Sequence, residues 1–255
     1  MPLFITVDAM KRYTLLDILR AVSVISMIAY HTVWDLVNIF EKEITWFDSD
    51  IASLWQASIR WSFIMISGFS WSLGKKHLRR ALTVLLCSGI ITVFTHLFVP
   101  KGFIIFGVLT LLGCAMLLTI PLDRLFSRLQ PIIGLLICAV LFLIFKNTEL
   151  GTVGIWKFTA ELPDFLFAND LTAFLGFPTA AFSSADYVPL IPWLFVFWMG
   201  YFLYHCFKRY ELLKYLSCIS LPPLEFIGRH ALIIYMLHQP VCYAILFVVF
   251  NWLKL

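Results

Sequence analysis

Charge is scarce in this chain. Only 13% of its 255 residues are Asp, Glu, Lys or Arg, while 61% are hydrophobic, and the mean hydropathy is +0.91. Soluble domains carry roughly a quarter charged residues, so that class is excluded. Paired cysteines are missing too. Cys87, Cys114, Cys138, Cys206, Cys218 and Cys242 show neither CxxC nor metal-ligand spacing, which removes a disulfide framework and a structural zinc site. No GxGxxG or Walker pattern offers a glycine-rich phosphate loop. No internal repeat supports an inverted-repeat transporter. The net charge of +4 is small and confined to short loops, so it reads as a topology signal and not as a nucleic-acid footprint. Neither a metal nor a nucleic-acid partner is expected.

What the chain does have is a succession of apolar runs near the roughly 20 residues that cross about 30 Å of hydrocarbon. They predict a single all-α integral membrane domain over residues 1–255. The bundle has about seven transmembrane helices, at 14–37, 51–74, 79–99, 103–121, 130–146, 189–207 and 225–250. The loop charges alternate. Lys11-Arg12, the run Lys75 to Arg80, Arg124 with Arg128, and Lys208-Arg209 with Lys214 fall on one side. Glu41, Glu43, Asp48 and Asp50 fall on the other, as do Glu149, Glu161, Asp164, Asp170 and Asp186. Positive-inside logic then places the N-terminus in the cytoplasm and the C-terminus outside. The first span follows basic residues without a small-residue cleavage site, so it is read as uncleaved. The longest stretch between spans, 147–188, is rich in aromatics and is expected to pack as an outer cap. Gly151, Gly154 and Gly176 are read as its turn residues.

Ionisable side chains inside a span are costly and mark function by default. The first span carries Arg20-AVSVISMIAY-His31. Eleven steps along a helix return to within roughly 20° of the same face and advance about 16 Å. One face therefore holds a permanent cation near its inner end and an imidazole in its outer half. That suits a long anionic ligand with a charged head and a distant reactive end, the shape of a coenzyme A thioester. Asp35 follows His31 at i+4, where its carboxylate can orient the ring as a general base requires. Asp17 precedes Arg20 by three residues, so Arg20 either pairs with it or faces a phosphate. Arg60 lies well inside the second span, near the depth of His31, with Asp35 as its expected partner. The last span brings Arg229 and His230 near its inner end. Farther along stand His238, Gln239 and Pro240, with His238 either lining a site or serving a structural hydrogen bond. His77, His96 and His205 are read as interfacial or inner-surface residues.

Arg20-x10-His31 resembles the motif of acyltransferase-3-type membrane acyltransferases. The whole chain is more similar to the heparan-alpha-glucosaminide N-acetyltransferase catalytic-domain family, which has small bacterial members. The matching stretches run in order: Leu16 to Ala21, Met27 to His31, Phe63 to Ser70, Ile105 to Leu109, Asp186 to Trp193, Ile227 to His230 and Tyr235 to Pro240. The resemblance implies a multi-pass protein of the bacterial cytoplasmic membrane, working in the lipid bilayer. It would move an acyl group, typically acetyl, from cytoplasmic acetyl-CoA or another acyl-CoA to a hydroxyl or amine of an extracytoplasmic acceptor such as a cell-envelope glycan. On that reading His31 and Asp35 are catalytic. Arg20, Asp17 and Arg229 hold the donor, and Arg60, His238 and Asp186 line the acceptor site. Thr110 stands where the family often has His, and Ala21 where Gly is usual. The extra spans and soluble outer domain of larger members have no counterpart in this sequence, so glycosaminoglycan is not carried over as acceptor. Whether His31 acts as base or carries the acyl group stays open, as does oligomerisation. The competing reading is a transporter or channel with an intramembrane Asp/Arg/His proton relay.

The charge alternation generates a topology test. Reporter fusions at Leu255 and within residues 75–80 are expected to give opposite signals. The same signal at both positions would defeat the odd number of spans.

Overall fold

The computed structural model describes residues 13–99 and 102–252. Lys11 and Arg12, counted above with the inner-side charges, lie outside the described residues. The main helices are α1 (Thr14–Asn38), α2 (Asp50–Trp71), α3 (His77–Phe98), α4 (Val108–Phe126), α5 (Pro131–Phe145), α6 (Leu190–Arg209), α7 (Pro222–Arg229) and α8 (Ala231–Trp252). Between α5 and α6 runs a short hairpin, β1 (Thr152–Ile155) and β2 (Phe158–Glu161).

Among the described residues six segments are long and apolar enough to cross a membrane: α1, α3, α4, Pro131–Leu150 around α5, α6, and Ala231–Phe250 of α8. Helix α2, with 22 residues, has the length. Asp50, Gln56, Arg60 and five serines dilute its apolar character, and it is not among the six. The lipid-suited helices turn apolar side chains outward. Leu82, Leu86, Ile90 and Val93 of α3 are exposed, as are Ile233, Leu237, Val241 and Ile245 of α8. An α-helix satisfies most of its main chain internally, which is what hydrocarbon demands.

The chain forms two compact units, Met1–Phe47 with Phe207–Leu255, and Asp48–Cys206. In the first, α1 buries Leu16, Ile18, Ala21, Val24, Met27 and Tyr30. The backbone of α7 lies directly on α1, because a side chain at Gly228 would collide with the Asp17 carbonyl. Thr14 Oγ1 donates to the Ile219 carbonyl beside it. The single helix expected over 225–250 is broken here. Helix α7 ends at Arg229, and His230 leaves helical geometry with φ −100° and ψ 14°. Its N–H closes the turn onto the Phe226 and Ile227 carbonyls, and α8 starts at Ala231. The interruption accompanies the seating of Gly228 on α1, a tertiary contact that local periodicity does not register.

In the second unit α2 and α6 meet backbone to backbone. A side chain on Gly68 would strike the Phe197 carbonyl, and one on Gly200 the Met65 carbonyl. Small residues are what allow such approach between membrane helices. Phe197, Tyr201, Phe202, Ile64 and Leu111 are buried around this contact. The helix expected over 103–121 is displaced. Residues 103–107 are not helical, and Phe106 has φ +56°. Their backbone pairs with the approach to α6, since Ala185 and Val188 donate to the Phe103 and Phe106 carbonyls at 3.0 Å each. Helix α4 then continues through Pro121 to Phe126.

The stretch 147–188 is more structured than a loop. Its hairpin is antiparallel with Ile155 opposite Phe158, turning at Trp156, whose φ is +54°. No Asn-Gly or Asp-Gly announces that turn in the sequence. Gly151, Gly154 and Gly176 all adopt positive φ, as turn residues do.

The α2–α6 contact predicts a contrast between two glycines. Gly200→Ala should destabilise by about 1–3 kcal/mol, the cost typical of overpacking, seen as a lower Tm in detergent. Gly89→Ala, which meets nothing within 4 Å, should not lower it. Equal behaviour of the two variants would refute the backbone contact.

Candidate active site

The first unit gathers its intramembrane polar groups on facing sides of α1 and α8. Thr32 and Asp35 lie one turn apart on α1, as do Gln239 and Cys242 on α8. They meet in antiparallel order. Thr32 Oγ1 contacts Cys242 Sγ at 3.4 Å, and Gln239 Nε2 donates to Asp35 Oδ1 at 2.5 Å. The His31 and His238 rings face each other beside this ladder, with centroids 5.0 Å apart. Tyr30 meets His31 edge-on at 5.8 Å. The Nδ1 of His238 lies 2.6 Å from the Tyr235 carbonyl, one turn before Pro240.

Asp35 is fully buried, at 0% exposure. Its second oxygen, Oδ2, and the Oε1 of Gln239 have no hydrogen-bond partner among the described residues. The carboxylate that the i, i+4 spacing aimed at His31 is therefore engaged across the helix pair, by Gln239. Among the described residues no hydrogen bond joins Asp35 to His31. Sequence reasoning set Gln239 beside the site without giving it a role. The only available signal was an amide next to a proline inside an apolar helix, and pairing it with Asp35 required the packing of α8 on α1.

At the other end of α1, Arg20 Nη1 donates to Asp17 Oδ1 at 2.5 Å. Asp17 is buried and Arg20 half-buried. Arg229 is exposed, and its Nε donates to the Glu225 carbonyl at 3.0 Å. This end thus presents one oriented guanidinium and one at the surface.

The second unit holds the remaining expected residues. Arg60 lies over the Trp193 ring at 5.1 Å, with the Glu149 carboxylate in electrostatic reach. Trp193 in turn packs against Trp61 and Phe142. Asp186 is half-buried on the segment that pairs with residues 103–106, next to Gly107. Tyr187 donates to the Ala173 carbonyl at 2.6 Å. Burial, helped by the Glu149 carboxylate, holds its phenol above the ordinary value, so it stays neutral. Thr110, at the departure from the family pattern, shares a 2.6 Å hydrogen bond with Ser88. Among the described residues no three His, Cys, Asp or Glu side chains gather to hold a metal ion.

Apolar helices long enough to span a bilayer, with two half-buried histidines and a buried carboxylate on one helix pair, define a multi-pass membrane protein with titratable groups among its spans. The model of the heparan-alpha-glucosaminide N-acetyltransferase catalytic family matches residues 12–240, and the chain belongs to that family, a family of acetyltransferases. Comparison with curated proteins and with solved structures gives no match.

The Asp35–Gln239 bond can be tested by itself. Gln239→Leu strands a buried carboxylate and should cost about 1–3 kcal/mol of stability. The double variant Asp35→Leu/Gln239→Leu should lose less than the sum of the single variants, as coupled partners do. Additive losses in thermal unfolding would show that the two side chains do not interact.

Proposed function

We propose that the chain transfers an acetyl group from acetyl-CoA, or another acyl-CoA, on the cytoplasmic side to a hydroxyl or amine of a small extracytoplasmic acceptor such as a cell-envelope glycan. The membrane would be the bacterial cytoplasmic membrane, crossed seven times with α2 as one span, N-terminus inside and C-terminus outside. The observation that carries the reading is the His31 imidazole, set in a polar face between apolar helices of a chain from an acetyltransferase family. Arg20 shares its helix about 16 Å away by helix rise.

In this reading Arg20, oriented by Asp17 and joined by Arg229, attracts the phosphates of the donor. His31 takes the proton from the acceptor hydroxyl or amine as that atom attacks the acyl carbon. The carbon–sulfur bond then breaks, and the departing thiolate receives the proton back from His31. Asp35 favours the transient imidazolium through its charge, one helical turn away, while Gln239 keeps the carboxylate in place. His238, on the same helix pair as His31, is assigned to the acceptor. In the alternative course a nitrogen of His31 itself attacks the acyl carbon, releases the thiolate, and passes the acyl group on in a second step.

His31→Ala and His31→Gln should both abolish transfer while leaving fold and donor binding largely intact, and Asp35→Asn should be milder. Incubation with donor alone separates the two courses: acyl label on His31 marks the covalent one, and its absence marks direct transfer. Arg20→Ala should weaken acetyl-CoA binding by about 1.5–3 kcal/mol, as loss of a hydrogen bond to a charged group does. Arg20→Lys should recover only part, because an ammonium cannot form the planar fork. Full turnover by folded His31→Ala protein would remove His31 from the mechanism.

A further inference from the structure

The turn between α2 and α3 holds polar atoms that the acetyl-transfer reading does not use. Trp71 ends α2 and is only 4% exposed. Its indole stacks on His77, the first residue of α3, with centroids 4.0 Å apart and planes at 23°. Trp71 Nε1, Ser72 Oγ and His77 Nδ1 are all buried without a hydrogen-bond partner among the described residues. Each such orphan costs about 1–3 kcal/mol, and folded proteins keep very few of them. Their concentration in a single turn points to a ligand.

The surroundings give that ligand a sign. No side chain caps the start of α3, so its first amides present donors and the positive end of the helix dipole. Arg80 brings its guanidinium into the same turn. It donates to the Ser70 carbonyl at 3.3 Å and occupies the space that a side chain on Gly74 would need. Lys75, Lys76 and Arg79 are exposed around it. Asp123 is the opposing charge, acting with Arg80 on His77, and its Oδ1 already accepts from Tyr201 at 2.6 Å. Indole N–H, guanidinium and helix amides can only donate, and a serine hydroxyl or imidazole can. Their common complement is an anion with several acceptor oxygens.

We propose that the α2–α3 turn, through Trp71 Nε1, Ser72 Oγ, His77 Nδ1, Arg80 and the first amides of α3, binds a phosphate group of a ligand on the basic, cytoplasmic side. Two ligands carry that chemistry there: a coenzyme A thioester and an anionic lipid with a terminal phosphate. The first source rests on the acetyl-transfer reading; the phosphate site does not.

The test uses full-length protein in nanodiscs. Trp71→Phe keeps the stack on His77 and removes the N–H, and Ser72→Ala removes the hydroxyl. Affinity is measured for acetyl-CoA and for dephospho-acetyl-CoA, and retention of phosphatidic acid is read by native mass spectrometry. Loss of one hydrogen bond to a charged group should weaken binding about tenfold. A fall in acetyl-CoA affinity supports the site with coenzyme A as source, and the dephospho form tells which phosphate sits in the turn. A fall in phosphatidic acid retention with acetyl-CoA affinity intact supports the site with lipid as source. Unchanged binding of both ligands by folded Trp71→Phe and Ser72→Ala overturns it. If the unmodified protein binds no acetyl-CoA, the acetyl-transfer reading fails, and the lipid measurement still decides the site.

Discussion

A fully buried carboxylate sets the terms for the α1–α8 pair. Taking an ion such as Asp35 out of water costs several kcal/mol even after relaxation. The amide of Gln239 offsets part of that cost from the neighbouring helix. The bond therefore fixes more than one side chain. With Thr32 against Cys242 one turn away, it pins the rotation and the axial position of α8 on α1. The facing of the two histidine rings follows from that register. A slip of one residue along α8 would turn the Gln239 amide by about 100° and leave Asp35 buried with no donor.

The membrane character, the apolar helices and the family were legible in the sequence, because each depends on local quantities. Hydropathy over a window marks a span, and Arg20 and His31 lie on one face by arithmetic alone. Three features were not legible. The helix break at His230 accompanies the contact of Gly228 with α1. The extended run before α4 depends on pairing with residues almost 80 positions away, of which Ser184, bonded to Ile105, is one member. The partner of Asp35 was misjudged because i, i+4 proximity to His31 was visible, whereas Gln239, at a sequence separation of 204, was not. In each case a non-local contact decided between options that the local pattern left equal.

Of the two readings the sequence left open for Arg20, the structure shows the pairing with Asp17, and in the proposed function the same contact would prepare Arg20 for a phosphate. An ion pair at i, i+3 is an ordinary structural device near a membrane surface. An arginine, however, presents five N–H donors in a rigid planar fork. Engaging Nη1 with Asp17 orients that plane and leaves its charge. A guanidinium held by a buried carboxylate is pre-organised, so less side-chain freedom is lost when an anion arrives. Asp17 is in this view the reason Arg20 can be precise, and removing it would loosen the cation as well as unpair it.

Thr110 serves the packing of α3 against α4. Its hydroxyl is bonded to Ser88 at 2.6 Å, tying α4 to α3 in the interior of the second unit. Threonine does not titrate near neutral pH, and a hydroxyl committed to a neighbouring hydroxyl is an unsuitable proton acceptor. The Thr110 hydroxyl is thus given over to holding two helices together. If an imidazole is needed for proton transfer within the membrane, this chain must supply it elsewhere. The α1–α8 face supplies two, His31 and His238, beside a carboxylate whose own position is secured.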